Sequence, residues 1–464
     1  MNIKKLASLV LTIFLSFSFV ACNNNNSSGK IRMHVLWDQL TFVLGDDIHK
    51  AVAADEASIA SGAFPDIKRA QSIVDNTKVM LEYTDANNIA IKATNMGWNV
   101  GLTQSLLQCF MVQDGPDIIQ GEEQLPDFIR RGYIEPFPDD FAARVKEKVS
   151  PIAYKGLETN GKLYGLAINP GVTLLYWNKA ILRQAFSADD PLYRIVDEGP
   201  KDWAEWETAM QRVDAINPGS AAPRAGGVYV GPNPGGYLRI GALLDSNGGY
   251  YADSTGAPSI NTQANKETFE FLRRMAKYNT NGILNSSDYF TTYDRAFKAG
   301  EIAYMVDGSW SMYELDVLGM DFGVSLLPPK VAEGRPGTFT IGACYMAVPT
   351  YTQYKDHAFK IIEQMLDPRI QDGIAKLGYR LPVLKSTIVS DTFEQENPKG
   401  FEFANYVANN EVRGLPPFKG RVSGIWDQVN IVFADVYTFS GAPLSISSIL
   451  SNAQAQMTSE YNRP

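Results

Sequence analysis

The stretch Phe297-Lys-Ala-Gly-Glu-Ile-Ala-Tyr-Met-Val-Asp-Gly-Ser-Trp310 sets the reading of this chain. Ile302 to Val306 is a short apolar run of strand length, and Asp307-Gly-Ser-Trp310 stands at its carboxyl end. In open α/β sheets ligands bind at that edge. Two further segments repeat the arrangement: Trp37-Asp38-Gln39 ends the alternating run Ile31-Arg-Met-His-Val-Leu-Trp37, and Gln120-Gly-Glu-Glu123 follows Asp117-Ile-Ile119. Rings offer flat apolar faces while carboxylates and amides offer directional hydrogen bonds, a combination that suits a neutral polyhydroxylated ligand.

Outward from these edges the chain alternates strand and helix. Lys78 to Tyr83 reads as a second strand, and the intervening forty residues hold helical tracts over Asp47 to Ala60 and Asp66 to Val74. Helices are expected over Val100 to Val112 and Leu125 to Arg131, and strands over Gly171 to Trp177 and Phe322 to Leu326. Asp202 with Glu205 three residues on forms a capping-box pattern; Trp203, Trp206, Met210 and Val213 then share one helical face, which assigns the tryptophans to the core. Amphipathic helices follow at Phe269 to Ala276 and Ala358 to Leu366, the latter stopped by Pro368. The pattern is α/β with a mostly parallel sheet.

Composition narrows the function. The chain has 464 residues, 45% hydrophobic and 20% charged, which is ordinary globular content for more than one domain. Its net charge of -9, with no basic stripe, disfavours nucleic acid. Three scattered histidines, His34, His49 and His357, and three cysteines give no metal-ligand spacing, so no metal and no cofactor is expected. No G-x-S-x-G, H-E-x-x-H or phosphate-loop motif occurs, and the glycine-rich run from Gly226 to Gly236 contains prolines that remove donors a phosphate needs. Lys4 and Lys5 before the apolar run Leu6 to Ala21 read as an export signal. Cys109 and Cys344 read as buried free thiols, with a disulfide open only if the fold brings them together.

The order of motifs resembles the extracellular solute-binding proteins of family 1, the carbohydrate receptors of ABC importers typified by maltose-binding protein. It rests on Gly115-Pro-Asp-Ile-Ile119, Gly132-Tyr-Ile-Glu-Pro136, Gly161 to Ile168 leading into Leu174 to Lys179, Pro200-Lys-Asp-Trp203, the Phe297 to Trp310 stretch, Gly378-Tyr-Arg-Leu-Pro382 and Trp426. Phe19-Val20-Ala21-Cys22 resembles a lipobox, with phenylalanine where leucine is usual. The resemblance implies a two-lobed periplasmic-binding-protein (type II) fold, each lobe an α/β sandwich, with the ligand cleft between them. Residues 1–21 are then a lipoprotein signal, 22–30 the lipidated Cys22 and its tether, 31–167 with 340–370 the first lobe, and 168–339 with 371–464 the second. It also implies an exported monomer, lipid-anchored to a bacterial membrane, that passes its ligand to permease subunits with a cytoplasmic ATPase and is not an enzyme.

Transferred position by position, the resemblance places Trp310 as a ring that stacks on sugar. Asp38 and Gln39 form the first contact loop, and Glu122 and Glu123 the second, where Gly121 replaces an aromatic residue. Asn169 lies at the first crossing, Asn233 and Tyr237 on the second lobe's loop, Trp426 late in the chain, and Arg380 on the Gly-Tyr-Arg-Leu-Pro turn. The enlarged segment Leu44 to Val74 departs from the family pattern, and it either covers a cleft edge or decorates the outer face. Three rivals remain: the same receptor carrying a peptide, polyamine or other charged solute, a glycosidase using Glu122 and Glu123, and a surface adhesin.

Overall fold

A computed structural model describes residues 29–463 apart from 65, 98, 217–234, 279–289, 342–344, 378–379, 417 and 438–442. The signal, Cys22, Asn233, Cys344 and most of the glycine-rich run lie outside the described residues. Along the chain, β1 (Ile31–Leu36), α1 (Ile48–Ala60), α2 (Ile67–Ala86), β2 (Ile89–Thr94), α3 (Asn99–Val112), β3 (Ile119–Gly121), α4 (Leu125–Arg130) and β4 (Leu166–Ala167) build most of the first lobe. The second lobe holds β5 (Gly171–Asn178), α5 (Trp203–Ile216), α6 (Gly236–Asp245), α7 (Gln263–Ala276), β6 (Tyr304–Gly308), α8 (Trp310–Val317), β7 (Phe322–Ser325) and β8 (Thr340–Ile341). The chain returns to the first lobe through β9 (Tyr345–Ala347), α9 (Lys355–Gln364) and α10 (Pro368–Leu377), then adds α11 (Val422–Val436) and α12 (Ile446–Tyr461) to the second.

In the first lobe β1 pairs parallel with β2 from Ile31 opposite Ile89 to Leu36 opposite Thr94, and Val35 bridges Ile118 just before β3. The strand β9 runs antiparallel between β3 and β4. In the second lobe β5 is antiparallel to β6, β7 and β8. The sheets are therefore more antiparallel than the alternation of elements predicts. The strands next to the crossings account for this, because β5 leaves the crossing while β6 runs back towards it. Successive residues of β5 explain its unbroken apolar sequence: Val172, Leu174 and Tyr176 enter one core layer, and Leu175 and Trp177 enter the other.

The strand expected at Lys78 to Tyr83 is instead the middle of the 20-residue helix α2, which begins at the Asp66 cap and runs on past Val74. Buried Ala70, Val74, Thr77, Leu81 and Thr84 recur every three or four residues, so helical spacing over the longer window outweighs a six-residue alternation. The second strand is Ile89–Thr94. Pro368 opens α10 instead of merely ending α9, in the first helical turn where its missing N–H costs nothing. That helix packs on α2, and Ile374 joins the first lobe's core, whereas residue 370 was the expected end of this lobe's second segment.

The tryptophans of α5 are core residues, as their spacing predicts: Trp203 stacks on Phe271 with centroids 4.4 Å apart, and Trp206 meets Tyr304 edge-on at 5.9 Å. Asp202 caps α5 by accepting from the Glu205 amide at 2.9 Å. Cys109 is a free thiol. Among the described residues no helix is long and apolar enough to cross a membrane, and no cluster of histidine, cysteine and carboxylate side chains could hold a metal ion.

His34 on β1 is a half-buried, pH-sensitive residue of the first lobe. Burial, aided by Lys92, pulls its imidazole from the ordinary 6.5 to about 4, and Nε2 lies 2.6 Å from the Thr94 hydroxyl. The unfolded chain therefore takes up this proton first, so stability is complete above pH 6.5 and falls as pH drops towards 4, by at most about 3 kcal/mol. Denaturant unfolding of wild type and His34→Gln at pH 4.5 and 7.5 should show a smaller acid loss in the variant; equal losses would clear His34.

Candidate functional site

The site lies where the loop after β1, the β3–α4 turn and β4 of the first lobe face α6, α8 and α11 of the second. Asp38 is fully buried and accepts from the Leu40 amide at 3.0 Å and from Asn169 Nδ2 at 2.8 Å. The same Asn169 nitrogen donates to the Thr41 hydroxyl at 2.8 Å, and its Oδ1 is buried with no partner. Asp38 and Asn169, 131 residues apart, thus form one polar group at the crossing. Gln39 turns away: it is exposed and lines a side recess of about 200 Å³ with Phe42, Val43 and Phe64.

Glu122 and Glu123 occupy the turn between β3 and α4. The Tyr237 hydroxyl, carried by the first turn of α6, donates to Glu123 Oε2 at 2.8 Å and so joins the two lobes. Burial first, then the adjacent Glu123, raises Glu122 to about 8; Asp38 adds to the rise and Arg380 opposes it. Burial and the two glutamates likewise push the Tyr237 phenol well up, so it stays a donor. Tyr345 on β9 is buried nearby, with its phenol raised by burial and by Glu122.

Arg380 is 5% exposed, and its Nε and Nη1 have no hydrogen-bond partner. Its guanidinium lies over the Trp310 ring, 5.1 Å from the centroid. Trp310 starts α8, half-buried, with Nε1 donating to Asp307 Oδ2 at 3.1 Å. Asp307 also accepts from Ser311 at 2.8 Å and pairs with buried Arg239 at 2.8 Å. The indole rests on Gly308, where a Cβ would fall 2.1 Å from Cζ3; only glycine allows this approach. Trp426 on α11 is 7% exposed, packs on Tyr237 with centroids 4.8 Å apart, and has a buried Nε1 without partner.

Of the ten expected ligand residues, the structure gathers Asp38, Glu122, Glu123, Asn169, Tyr237, Trp310, Arg380 and Trp426, turns Gln39 outward, and does not describe Asn233. Asp307 and Arg239, which hold Trp310, and Tyr345 were not among them. A single arginine within Tyr237-Leu-Arg-Ile-Gly-Ala-Leu-Leu244 was the available signal, since a lone cation inside an apolar helix needs a buried partner. Gln120, fully buried with both amide atoms unpartnered, gave no such signal.

Raising the pH through Glu122's range places its charge beside Glu123 in a half-buried turn. The folded state holds that proton more tightly than the unfolded chain, so stability falls as pH rises from 4.5 towards 8. Glu122→Gln should therefore melt at a higher temperature than wild type at pH 9 and alike at pH 4.5. A wild-type advantage at pH 9 would contradict the crowding.

Comparison with known proteins agrees with this architecture. Residues 78–399 match the model of the bacterial extracellular solute-binding protein family. The chain is 26% identical to the maltotriose-binding protein of Pyrococcus abyssi over 327 residues, 67% of this chain and 64% of that protein. It is 23% identical to the lactose-binding protein of Rhizobium radiobacter over 276 residues, 56% of this chain and 59% of that protein. The chain thus spans about three fifths of these relatives' length. Its fold superposes on the maltose/maltodextrin-binding domain MalE of Bdellovibrio bacteriovorus, bound to maltotriose, with TM-score 0.66 and 19% identity, covering 92% of this chain and 99% of that one. By its matched length and its two-lobed fold, the chain belongs to the family of bacterial extracellular solute-binding proteins.

Proposed function

We propose that this protein is the substrate-binding lipoprotein of an ABC importer, closing its lobes on a carbohydrate and delivering it to a membrane permease driven by a cytoplasmic ATPase. The observation that carries the reading is the set of buried, unpartnered polar atoms on the gathered residues: donors on Arg380 and Trp426, and an acceptor on Asn169. Leaving such atoms unsatisfied costs about 1–3 kcal/mol each. A sugar hydroxyl both donates and accepts, so one polyol satisfies all three kinds of atom, with Glu122 and Glu123 as further acceptors. Trp310, Trp426 and Tyr237 supply apolar faces beside them. Asp38 sits behind Asn169 and orients it. The maltotriose and lactose named for the relatives agree with this class of ligand.

No step of this function breaks a bond. The ligand acts by favouring the closed form, and it shifts the lobes only as far as its affinities for open and closed forms differ. Cys22 receives the lipid in this reading, and the tether to residue 30 spaces the lobes from the membrane.

Thermal unfolding of the soluble form lacking residues 1–22 against mono- and oligosaccharides, with amino acids and polyamines as controls, tests the class. A sugar at about 100 times its Kd adds about 2.7 kcal/mol of stability. Trp310→Ala should weaken that sugar by at least about tenfold, roughly 1.4 kcal/mol, in titration calorimetry. A shift with a charged control and with no sugar would overturn the carbohydrate assignment. For the anchor, Cys22→Ser should release the protein from membranes in a cell that lipidates the wild type, and unchanged membrane retention would exclude a lipid at Cys22.

A further inference from the structure

Outside the ligand residues, two contacts between the lobes have a common geometry. The first is made by the enlarged segment. The α1–α2 hairpin packs beside the loop that carries Asp38, sharing the recess lined by Gln39, Phe42 and Val43 on one side and Asp55, Phe64 and Ala70 on the other. From the first turn of α2, the Arg69 guanidinium reaches across to α8 and lies 5.6 Å from the Tyr313 ring centroid. Tyr313 stands three residues beyond Trp310, one turn along the same helix. The hairpin therefore covers an edge of the cleft.

The second place is at α11. Its N-cap residue, Arg421, provides no side-chain cap, and the Val422 amide instead donates to Asp127 Oδ1 of α4, in the other lobe, at 3.4 Å. The Asp127 side chain is only 14% exposed, and a carboxylate at a helix N-terminus is favoured by the exposed amides there. Leu415, on the approach to α11, packs against core residues of both lobes. Val422 stands four residues before Trp426, again one turn away. Trp310 and Trp426 thus stand on second-lobe helices that are tied to the first lobe within a turn of the indole.

We infer that these two ties close the cleft at both ends, so that the protein takes a short saccharide enclosed whole between Trp310 and Trp426 and rejects longer chains. This rests on the carbohydrate reading above and adds a length limit to it. A chain that runs past Trp310 must displace Arg69 from Tyr313, and one that runs past Trp426 must break the Asp127 cap. Selection by size is then a matter of built-in obstruction, independent of the contacts that recognise the sugar itself.

The test is titration of the soluble protein with malto-, manno-, cello- and xylo-oligosaccharides from disaccharide to hexasaccharide, in wild type, Arg69→Ala, Tyr313→Ala and Asp127→Ala. Within the series that binds, the wild-type hexasaccharide should be weaker than the best shorter member by at least about tenfold. At least one variant should raise the ratio of long-chain to short-chain affinity by at least about fivefold. That ratio is unmoved by a general weakening of closure, which lowers both affinities alike, and melting temperatures identify any variant that fails to fold. Wild-type binding of the hexasaccharide as tightly as the shorter members, or unchanged ratios in all folded variants, overturns the length limit and leaves the receptor standing. Silence towards every series overturns the carbohydrate reading and this inference with it.

Discussion

The buried carboxylate of Asp307 organises the second lobe's side of the cleft. It is 1% exposed at the end of β6 and receives Arg239 from α6, and the Trp310 indole and the Ser311 hydroxyl from α8. A charge so placed is tolerated because it is paired and hydrogen-bonded; removing one partner from such a pair typically costs about 3–5 kcal/mol. The pair therefore fixes two helices to one strand end, and with them the positions of Trp310 and Tyr237. Gly308 adds the complementary constraint from below, since any side chain there would lift the indole off the strand. A ring fixed on both its edge and its face has little rotamer freedom left to lose when a ligand arrives, which is how preorganisation raises affinity.

The first lobe holds its polar groups differently. Asp38, Thr41 and Asn169 are joined by hydrogen bonds that leave Asn169 Oδ1 open, whereas Glu122 is crowded by Glu123 with Arg380 to offset it. The Tyr237 hydroxyl relieves part of that crowding from across the cleft. Closing the lobes thus brings a donor to a carboxylate that the first lobe alone leaves short of partners. Electrostatics and closure are coupled through this bond.

Much of this was legible in the sequence where local chemistry and tertiary role coincide. The run Tyr304 to Trp310 ends a strand and begins a helix, and polar and aromatic residues at such an edge have few structural uses, so Trp310 stood out. The core tryptophans of α5 were equally plain from their spacing. What failed did so for identifiable reasons. Lys78 to Tyr83 alternates over six residues, and only the helix around it, with burial from Ala70 to Thr84, settles the period. Gln39 sits one residue from Asp38, but it lies in the turn closed by the Thr41 and Phe42 amides on the Asp38 carbonyl, and a turn sends neighbours in different directions, so adjacency to a site residue carried no information. Arg69 and Tyr313, and Asp127 and Val422, are contacts between lobes whose partners stand 244 and 295 positions apart, and no local pattern encodes such pairs.

The guanidinium of Arg380 above Trp310 bears on how the proposed sugar would reach that ring. A cation–π contact contributes about 0.5–1 kcal/mol when exposed and about 2 kcal/mol when desolvated, while two unpartnered N–H groups on the same buried guanidinium cost about 1–3 kcal/mol each. The arginine is therefore held in place less by the ring than by the lack of any better acceptor. In the proposed function, a ligand that offers hydroxyl oxygens to Nε and Nη1 would remove the larger unfavourable contribution, and a modest slide of the side chain would then expose the indole. Because Arg380 opposes the rise at Glu122, a guanidinium turned towards ligand would leave that carboxyl holding its proton more firmly. On this argument the carboxyl and the arginine act as one exchangeable pair, and the ligand enters by taking over hydrogen bonds that the empty site cannot satisfy within itself.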